Sequence, residues 1–180
     1  MSAEILEQKI KQAIRDIPDY PKPGILFKDI TPLLSNASLI REITHNLSRY
    51  FSGQQIEAIV GVEARGFILG SILAYEMQVP FIPVRKKGKL PYKTISESYA
   101  LEYGQAEIEI HADALRRGMR VLIHDDILAT GGTAGAAGNL VKKLGAEIAA
   151  FSFLINLSFL PGEINLTTAF GVKPHYLVSY

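Results

Sequence analysis

The 180 residues suffice for one domain with its own core, and 48% hydrophobic against 21% charged residues exclude a disordered or fibrous chain. With 19 Lys and Arg against 18 Asp and Glu, the net charge of +1 gives no reason to expect nucleic acid or a membrane surface as partner. There is no cysteine, which removes disulfides, thiolate catalysis and cysteine-ligated metals together and suits a reducing compartment.

At the start of the chain, Glu4, Glu7, Lys9 and Lys11 stand where a signal peptide needs an apolar run. No apolar run approaches the roughly 20 residues that span a bilayer, so the expectation is a cytoplasmic protein. Leu6, Ile10, Ile14 and Ile17 recur at helical spacing and predict an amphipathic helix over Ala3–Asp16. Pro18, Pro21, Pro23 and Gly24 then enforce an extended, turning connection, because proline fixes φ and cannot donate to a ladder. Leu39, Ile43, Leu47 and Tyr50 predict a second helix over Ser38–Phe51.

Beyond that helix the rhythm changes. Ala58–Val62, Phe81–Val84, Val121–Ile123 and Ile148–Ile155 are short apolar runs, with helical stretches between them that end at Met77 and at Leu144-Gly145. Buried strands alternating with helices predict an α/β fold, a mainly parallel twisted sheet flanked by helices. Ser96–Ile110 departs from this pattern and alternates around Tyr103-Gly104-Gln105, as an antiparallel hairpin does. It follows a basic loop from Arg85 to Lys93. No repeat, low-complexity tract or linker interrupts the chain, which predicts a single domain over residues 1–180.

The most informative stretch is Val121-Leu122-Ile123-His124-Asp125-Asp126-Ile127-Leu128-Ala129-Thr130-Gly131-Gly132-Thr133. It reads as a buried strand, two acids at its end, a loop of hydroxyls and glycines, then a helix. A helix N-terminus presents unpaired N–H groups and the positive end of the dipole, which together bind phosphate. Glycines let the backbone approach the anion, and Thr130 and Thr133 add hydroxyl donors. The two carboxylates repel phosphate but suit the hydroxyl donors next along a sugar phosphate. There is no G-x-x-x-x-G-K-[ST] and no G-x-G-x-x-G, so neither a P-loop nor a dinucleotide site is supported.

This stretch resembles the phosphoribosyl pyrophosphate signature of the type I phosphoribosyltransferases. The resemblance implies that Asp125 and Asp126 hold the ribose 2′- and 3′-hydroxyls, and that Ala129, Thr130, Gly131, Gly132 and Thr133 cradle the 5′-phosphate. His124 departs from the usual apolar residue before the acids and is expected to be a satisfied core histidine.

Three further stretches are similar to the adenine phosphoribosyltransferases within that group: Tyr20–Ile30, Gly61–Phe67, and Arg85–Pro91 followed by Ser98–Gly104. The first implies that the backbone of Leu26 and Lys28 reads adenine, beside Phe27, which alone would read as core. The family more often has arginine where Lys28 stands, and proline where Lys87 stands. The second implies a diphosphate loop in which Glu63–Ala64 carries a cis or otherwise strained peptide. Arg65 there would fork to two diphosphate oxygens, although alone it reads as a surface ion pair. The third implies a mobile catalytic loop with Arg85, Lys86 and Lys89 on phosphates, Glu102 handling a proton of adenine, and Tyr103 over the site.

The basic loop has its own logic. Arg85, Lys86, Lys87, Lys89 and Lys93 fall together with no acid among them, which attracts a polyanion and, on closing, excludes water from a reactive sugar cation. Little aromatic interleaving accompanies them, so a nucleic-acid patch is not expected. The family further implies a hood over about residues 1–35, a flap over about 85–110, Mg²⁺ carried mainly by the substrate with no metal ligands of the protein's own, and a homodimer. Two alternatives remain open: a phosphoribosyltransferase for another purine, and a regulator that binds phosphoribosyl pyrophosphate without turnover. A 6-oxopurine reverses the donor and acceptor pattern of adenine, so a site tuned to one rejects the other.

Overall fold

The computed structural model describes residues 3–100 and 105–180 and divides into two units, Met1–Leu47 and Ser48–Tyr180. In the first, α1 (Ala3–Ala13) buries Leu6 and Ile10 but stops short of the predicted Asp16. Arg15–Pro18 instead form β1, paired antiparallel with β2 (Leu26–Asp29) so that Arg15 faces Asp29 and Ile17 faces Phe27. Apolar spacing alone missed this. Pro18 disfavours a helical residue before it, and the Arg15 guanidinium lies 2.6 Å from the Asp29 carboxylate. Asp29 also accepts the Thr31 hydroxyl and N–H, and with Arg15 these bonds hold its carboxyl down at about 2. The prolines do form a turn, closed by the Gly24 N–H on Asp19 Oδ1 at 2.7 Å.

A short helix α2 (Thr31–Leu34) follows, then α3 (Ala37–Phe51), which crosses the boundary between the units. Its buried stripe is Leu39, Ile43, Leu47 and Phe51. Tyr50, expected on that stripe, is exposed and stacks on His175 at 3.7 Å between ring centroids.

The second unit is built on a seven-stranded sheet. In chain order its strands are β3 (Ala58–Val62), β4 (Phe81–Lys86), β5 (Thr94–Ala100), β6 (Gln105–His111), β7 (Arg120–Leu128), β8 (Glu147–Asn156) and β9 (His175–Ser179). Their spatial order is β5-β6-β4-β3-β7-β8-β9. Pairing is parallel from β4 through β9, and antiparallel where β6 meets β4 and β5. The mainly parallel α/β sheet expected from the sequence is therefore present, with an antiparallel hairpin at one edge. Its strands start at Thr94 and end at His111, just beyond the expected Ser96 and Ile110, and the turn expected at Tyr103-Gly104 lies outside the described residues.

Helices α4 (Arg65–Met77) and α5 (Gly132–Lys143) cover opposite faces of this sheet. Val121 and Ile123 of β7 join the cluster that holds Ala136, Ala137, Leu140 and Val141 of α5, whereas His124 faces Gly70 of α4. The alternation of side chains along one strand requires those partners to lie on opposite sides. In this unit two elements escaped the sequence reading, α6 (Gly162–Phe170) and β9. Strand β7 also outruns its prediction. It continues to Leu128, so Asp125 and Asp126 lie within the strand and not beyond its end. The reason is β8, which pairs with β7 as far as Leu128 and Asn156.

Candidate functional site

A close local constraint lies where α4 begins. A Cβ on Gly66 would stand 2.9 Å from the His124 carbonyl oxygen and from Asp125 Oδ1. Only a residue without a side chain lets the first turn of α4 come this close to β7. That approach sets Arg65, the first residue of the helix, beside Asp126, with Nε 2.7 Å from Oδ2. The preceding Glu63–Ala64 peptide is cis, at the position singled out from the sequence.

Across from Arg65, the chain leaves β7 at Leu128 and enters α5 through Ala129, Thr130 and Gly131. Gly131 is the N-cap, with φ at 82°, and no side chain caps the helix. Among the described residues, the opening amides of α5 thus have no side-chain cap. The Thr130 carbonyl is held from outside by Asn165 Nδ2 of α6 at 2.9 Å, a support that sequence reasoning did not find because α6 itself was missed.

These pieces form one cavity of about 250 Å³, lined by Glu63, Ala64, Arg65, Asp125, Asp126, Ala129, Thr130, Gly131, Gly132 and Thr133, all predicted from the sequence. Tyr99 of β5 also lines it and was not singled out. Its signal lay in the quoted segment Ser98–Gly104. Leu26, Phe27 and Lys28 are on β2 in the first unit, where Lys28 is nearly buried and its Nζ bonds Asp16 at 2.7 Å. Glu102 and Tyr103 fall outside the described residues.

The basic loop is less bare in space than in sequence. Arg85 forks onto Glu63, with both nitrogens 3.2 Å from its oxygens, and donates to the Lys89 carbonyl at 3.1 Å. Glu63 also accepts the Lys86 N–H at 2.9 Å. Burial pushes the Glu63 carboxyl up, but these bonds prevail and hold it below the usual range. Lys87 meets Glu107 at 2.8 Å. The acids missing from the loop are supplied by β6 and by the turn after β3.

The two adjacent acids behave differently from Glu63. Burial raises the Asp125 carboxyl well above the usual range, and the neighbouring charge of Asp126 raises it further. Burial also raises Asp126, against the pull of Arg65. Apart from main-chain N–H groups, the side-chain donor that these carboxylates meet among the described residues is the Arg65 guanidinium, and they face a cavity with room for further donors. The hydroxyls of a sugar would supply such donors.

His124 is fully buried as expected, but only one of its nitrogens is satisfied. Nδ1 lies 3.3 Å from Ser152 Oγ, whereas Nε2 has no partner among the described residues. Burial lowers its pKa from 6.5 to about 4. Between those values the unfolded chain binds a proton that the folded one refuses, so stability falls as pH falls, by about 3 kcal/mol in total. In His124→Val this loss disappears. The check is urea denaturation at pH 7 and pH 4.5, where the pH-dependent part of the stability should shrink in the variant.

The Phosphoribosyl transferase domain family matches residues 29–157. The adenine phosphoribosyltransferase of Cytophaga hutchinsonii is 54% identical over 165 residues, covering 92% of this chain and 91% of its own. The crystal structure of adenine phosphoribosyltransferase from Rhodothermus marinus matches with a TM-score of 0.92 at 49% identity, over 98% of this chain and 99% of that one. The Saccharomyces cerevisiae enzyme, crystallised with adenine and an imino-altritol bisphosphate, gives 0.89 at 38% identity, over 97% and 99%. With a family match over most of its length and relatives more than half identical across nine-tenths of it, the chain belongs to the adenine phosphoribosyltransferase family.

Proposed function

We propose that this chain transfers the 5-phosphoribosyl group from phosphoribosyl pyrophosphate to adenine, giving AMP and pyrophosphate, a step of purine salvage. The observation that carries the reading is the cavity itself. It sets donor-poor carboxylates on β7 beside the uncapped amides of α5, the two chemistries that a ribose 5-phosphate needs. Asp125 and Asp126 take the ribose hydroxyls. Ala129 to Thr133 take the 5′-phosphate.

The bond from C1′ to the diphosphate oxygen breaks as the bond from adenine N9 to C1′ forms, with positive charge building on the sugar between them. Arg65 and the amides of the Glu63–Ala64 turn hold the leaving diphosphate, joined by Arg85, Lys86 and Lys89. Arg65 reaches it by exchanging Asp126 for phosphate oxygens, which releases Asp126 to the sugar. The proton lost from adenine goes to Glu102, and Tyr103 covers the site. Leu26, Phe27 and Lys28 read the base. The Lys28 side chain is already engaged with Asp16, which supports a main-chain reading and makes the lysine tolerable where relatives have arginine.

The oxygen-only donors of the cavity, carboxylates and threonine hydroxyls, fit Mg²⁺. Asp125 and Asp126 are engaged with the ribose hydroxyls, so the ion would be carried mainly by the substrate and not by ligands of the protein's own. When bound, Mg²⁺ neutralises the diphosphate charge. The single-domain reading belongs to this proposal, with its hood over about residues 1–35 and its flap over about 85–110. So do a cytoplasmic location and a homodimer, for which Ile68 and Tyr75, exposed seven residues apart on one face of α4, are an apolar pair to cover. No helix among the described residues is long and apolar enough to cross a membrane.

A panel of adenine, hypoxanthine, guanine and xanthine with labelled phosphoribosyl pyrophosphate and Mg²⁺ tests the reading. AMP should form, and 6-oxopurines should react at least about a thousandfold more slowly, as expected for a site left with unpaired polar groups. Comparable rates with hypoxanthine would reassign the base. Binding of phosphoribosyl pyrophosphate without turnover of any base would make the chain a regulator.

A further inference from the structure

The edge hairpin carries a buried carboxylate with no part in the chemistry described so far. Glu109 of β6 is only 4% exposed. It lies across from Arg85 on β4 and from Ser96 on β5, beneath the connection between those two strands. Its Oε1 accepts the N–H groups of Lys89 and Leu90 at 3.0 and 2.9 Å, and Oε2 accepts the Thr94 hydroxyl at 3.2 Å. Burial alone would raise this carboxyl, yet the donors, the Gly88 amide among them, hold it below the usual range, so it stays an anion.

A chain of bonds leads from there to the cavity. The Lys89 N–H is fixed by Glu109, the Lys89 carbonyl accepts from Arg85, and Arg85 forks onto Glu63, a cavity residue. The geometry points to Glu109 as a positioning residue for the transfer reaction, which sets the loop after β4 and, through the Lys89 backbone, the guanidinium of Arg85. The inference rests on reading Arg85 as a diphosphate ligand. Without Glu109 the loop amides lose their acceptor in a buried place, and the loop samples conformations in which Arg85 lacks its Lys89 support.

The test uses the full chain with Glu109→Ala, Glu109→Asp and Glu109→Gln, Arg85→Ala, and the Glu109→Ala/Arg85→Ala pair. Glu109→Ala should raise KM for phosphoribosyl pyrophosphate about tenfold, the scale of one lost buried acceptor, and leave KM for adenine within about twofold. Glu109→Asp, one methylene too short, should do the same in smaller measure. Glu109→Gln should restore most of the loss, because its oxygen still accepts both amides while its NH₂ donates to Thr94. In the Arg85→Ala background, Glu109→Ala should add less than about twofold. Additive effects, or an unchanged KM for phosphoribosyl pyrophosphate in both Ala and Asp variants, overturn the assignment.

Hydrogen exchange on the ligand-free protein separates this from the activity itself. The Lys89 and Leu90 amides should exchange at least about tenfold faster in Glu109→Ala or, should that variant fail to fold, faster in Glu109→Asp. Unchanged exchange sinks the role of Glu109 whatever the enzyme does. Faster exchange in a protein that makes no AMP sinks the proposed reaction and keeps Glu109 as the residue that fixes the loop.

Discussion

Asp126→Asn should lower turnover at least about thirtyfold while leaving the protein as stable as before, or slightly more so. The loss follows from the charge. A carboxylate that grips ribose hydroxyls makes charge-assisted bonds, and removing one partner of such a buried pair costs about 2–5 kcal/mol, or at least some thirtyfold in rate. Asparagine keeps the shape but can accept on only one atom. It also leaves Arg65 without its counter-ion, at a side chain 41% exposed that water can still solvate. Stability moves the other way, because burial already penalises the Asp126 charge and its repulsion of Asp125. Neutralising one acid relieves both penalties, as happens where a fold tolerates strain for function. Steady-state kinetics and a thermal melt on the same preparation check the two halves. Near-normal kinetics would remove Asp126 from the ribose, and a collapsed melt would mean the acid is structural.

Most of this site was legible because the features that bind a sugar phosphate are local in sequence. Asp125 to Thr133 is a single run in which the acids, the glycines and the helix start follow one another. The cis peptide was legible by family resemblance alone; nothing in the chemistry of Glu63 and Ala64 announces it. What escaped was whatever depends on a partner distant in sequence. Ile17 continues the spacing of α1, and beyond the local bias of Pro18 it is Asp29, fourteen residues from Arg15, that holds the segment as a strand. The extent of β7 depends on β8, and the support of Thr130 comes from Asn165. The basic loop shows the same limit most clearly. Its five cations looked uncompensated, yet Glu63, Glu107 and Glu109 meet it from other strands. Charge runs read from sequence overstate the local potential wherever a sheet brings its own acids.

Gly131→Ala should weaken AMP binding by about tenfold or more and lower the melting temperature. Gly131 sits at φ 82°, where a side chain costs about 1–2 kcal/mol, and a Cβ there would stand 3.2 Å from the Gly162 carbonyl oxygen and 3.3 Å from its Cα. Those neighbours are backbone and cannot swing away. The loop must therefore shift by a few tenths of an ångström, or the helix must start in another register. Either response turns the amides proposed to hold the phosphate, and a phosphate seat built from several N–H groups at once is sensitive to small rotations of each. The control is Gly135→Ala, one turn further along α5. Its Cβ would meet only Leu166, at 3.8 Å, and alanine in a helix is favoured over glycine by up to about 1 kcal/mol. Gly135→Ala should bind AMP as the parent does and melt no lower. Calorimetric titration with AMP decides between them: if both variants bind equally well, the opening turn of α5 is not where the phosphate sits, whatever the acids on β7 are holding.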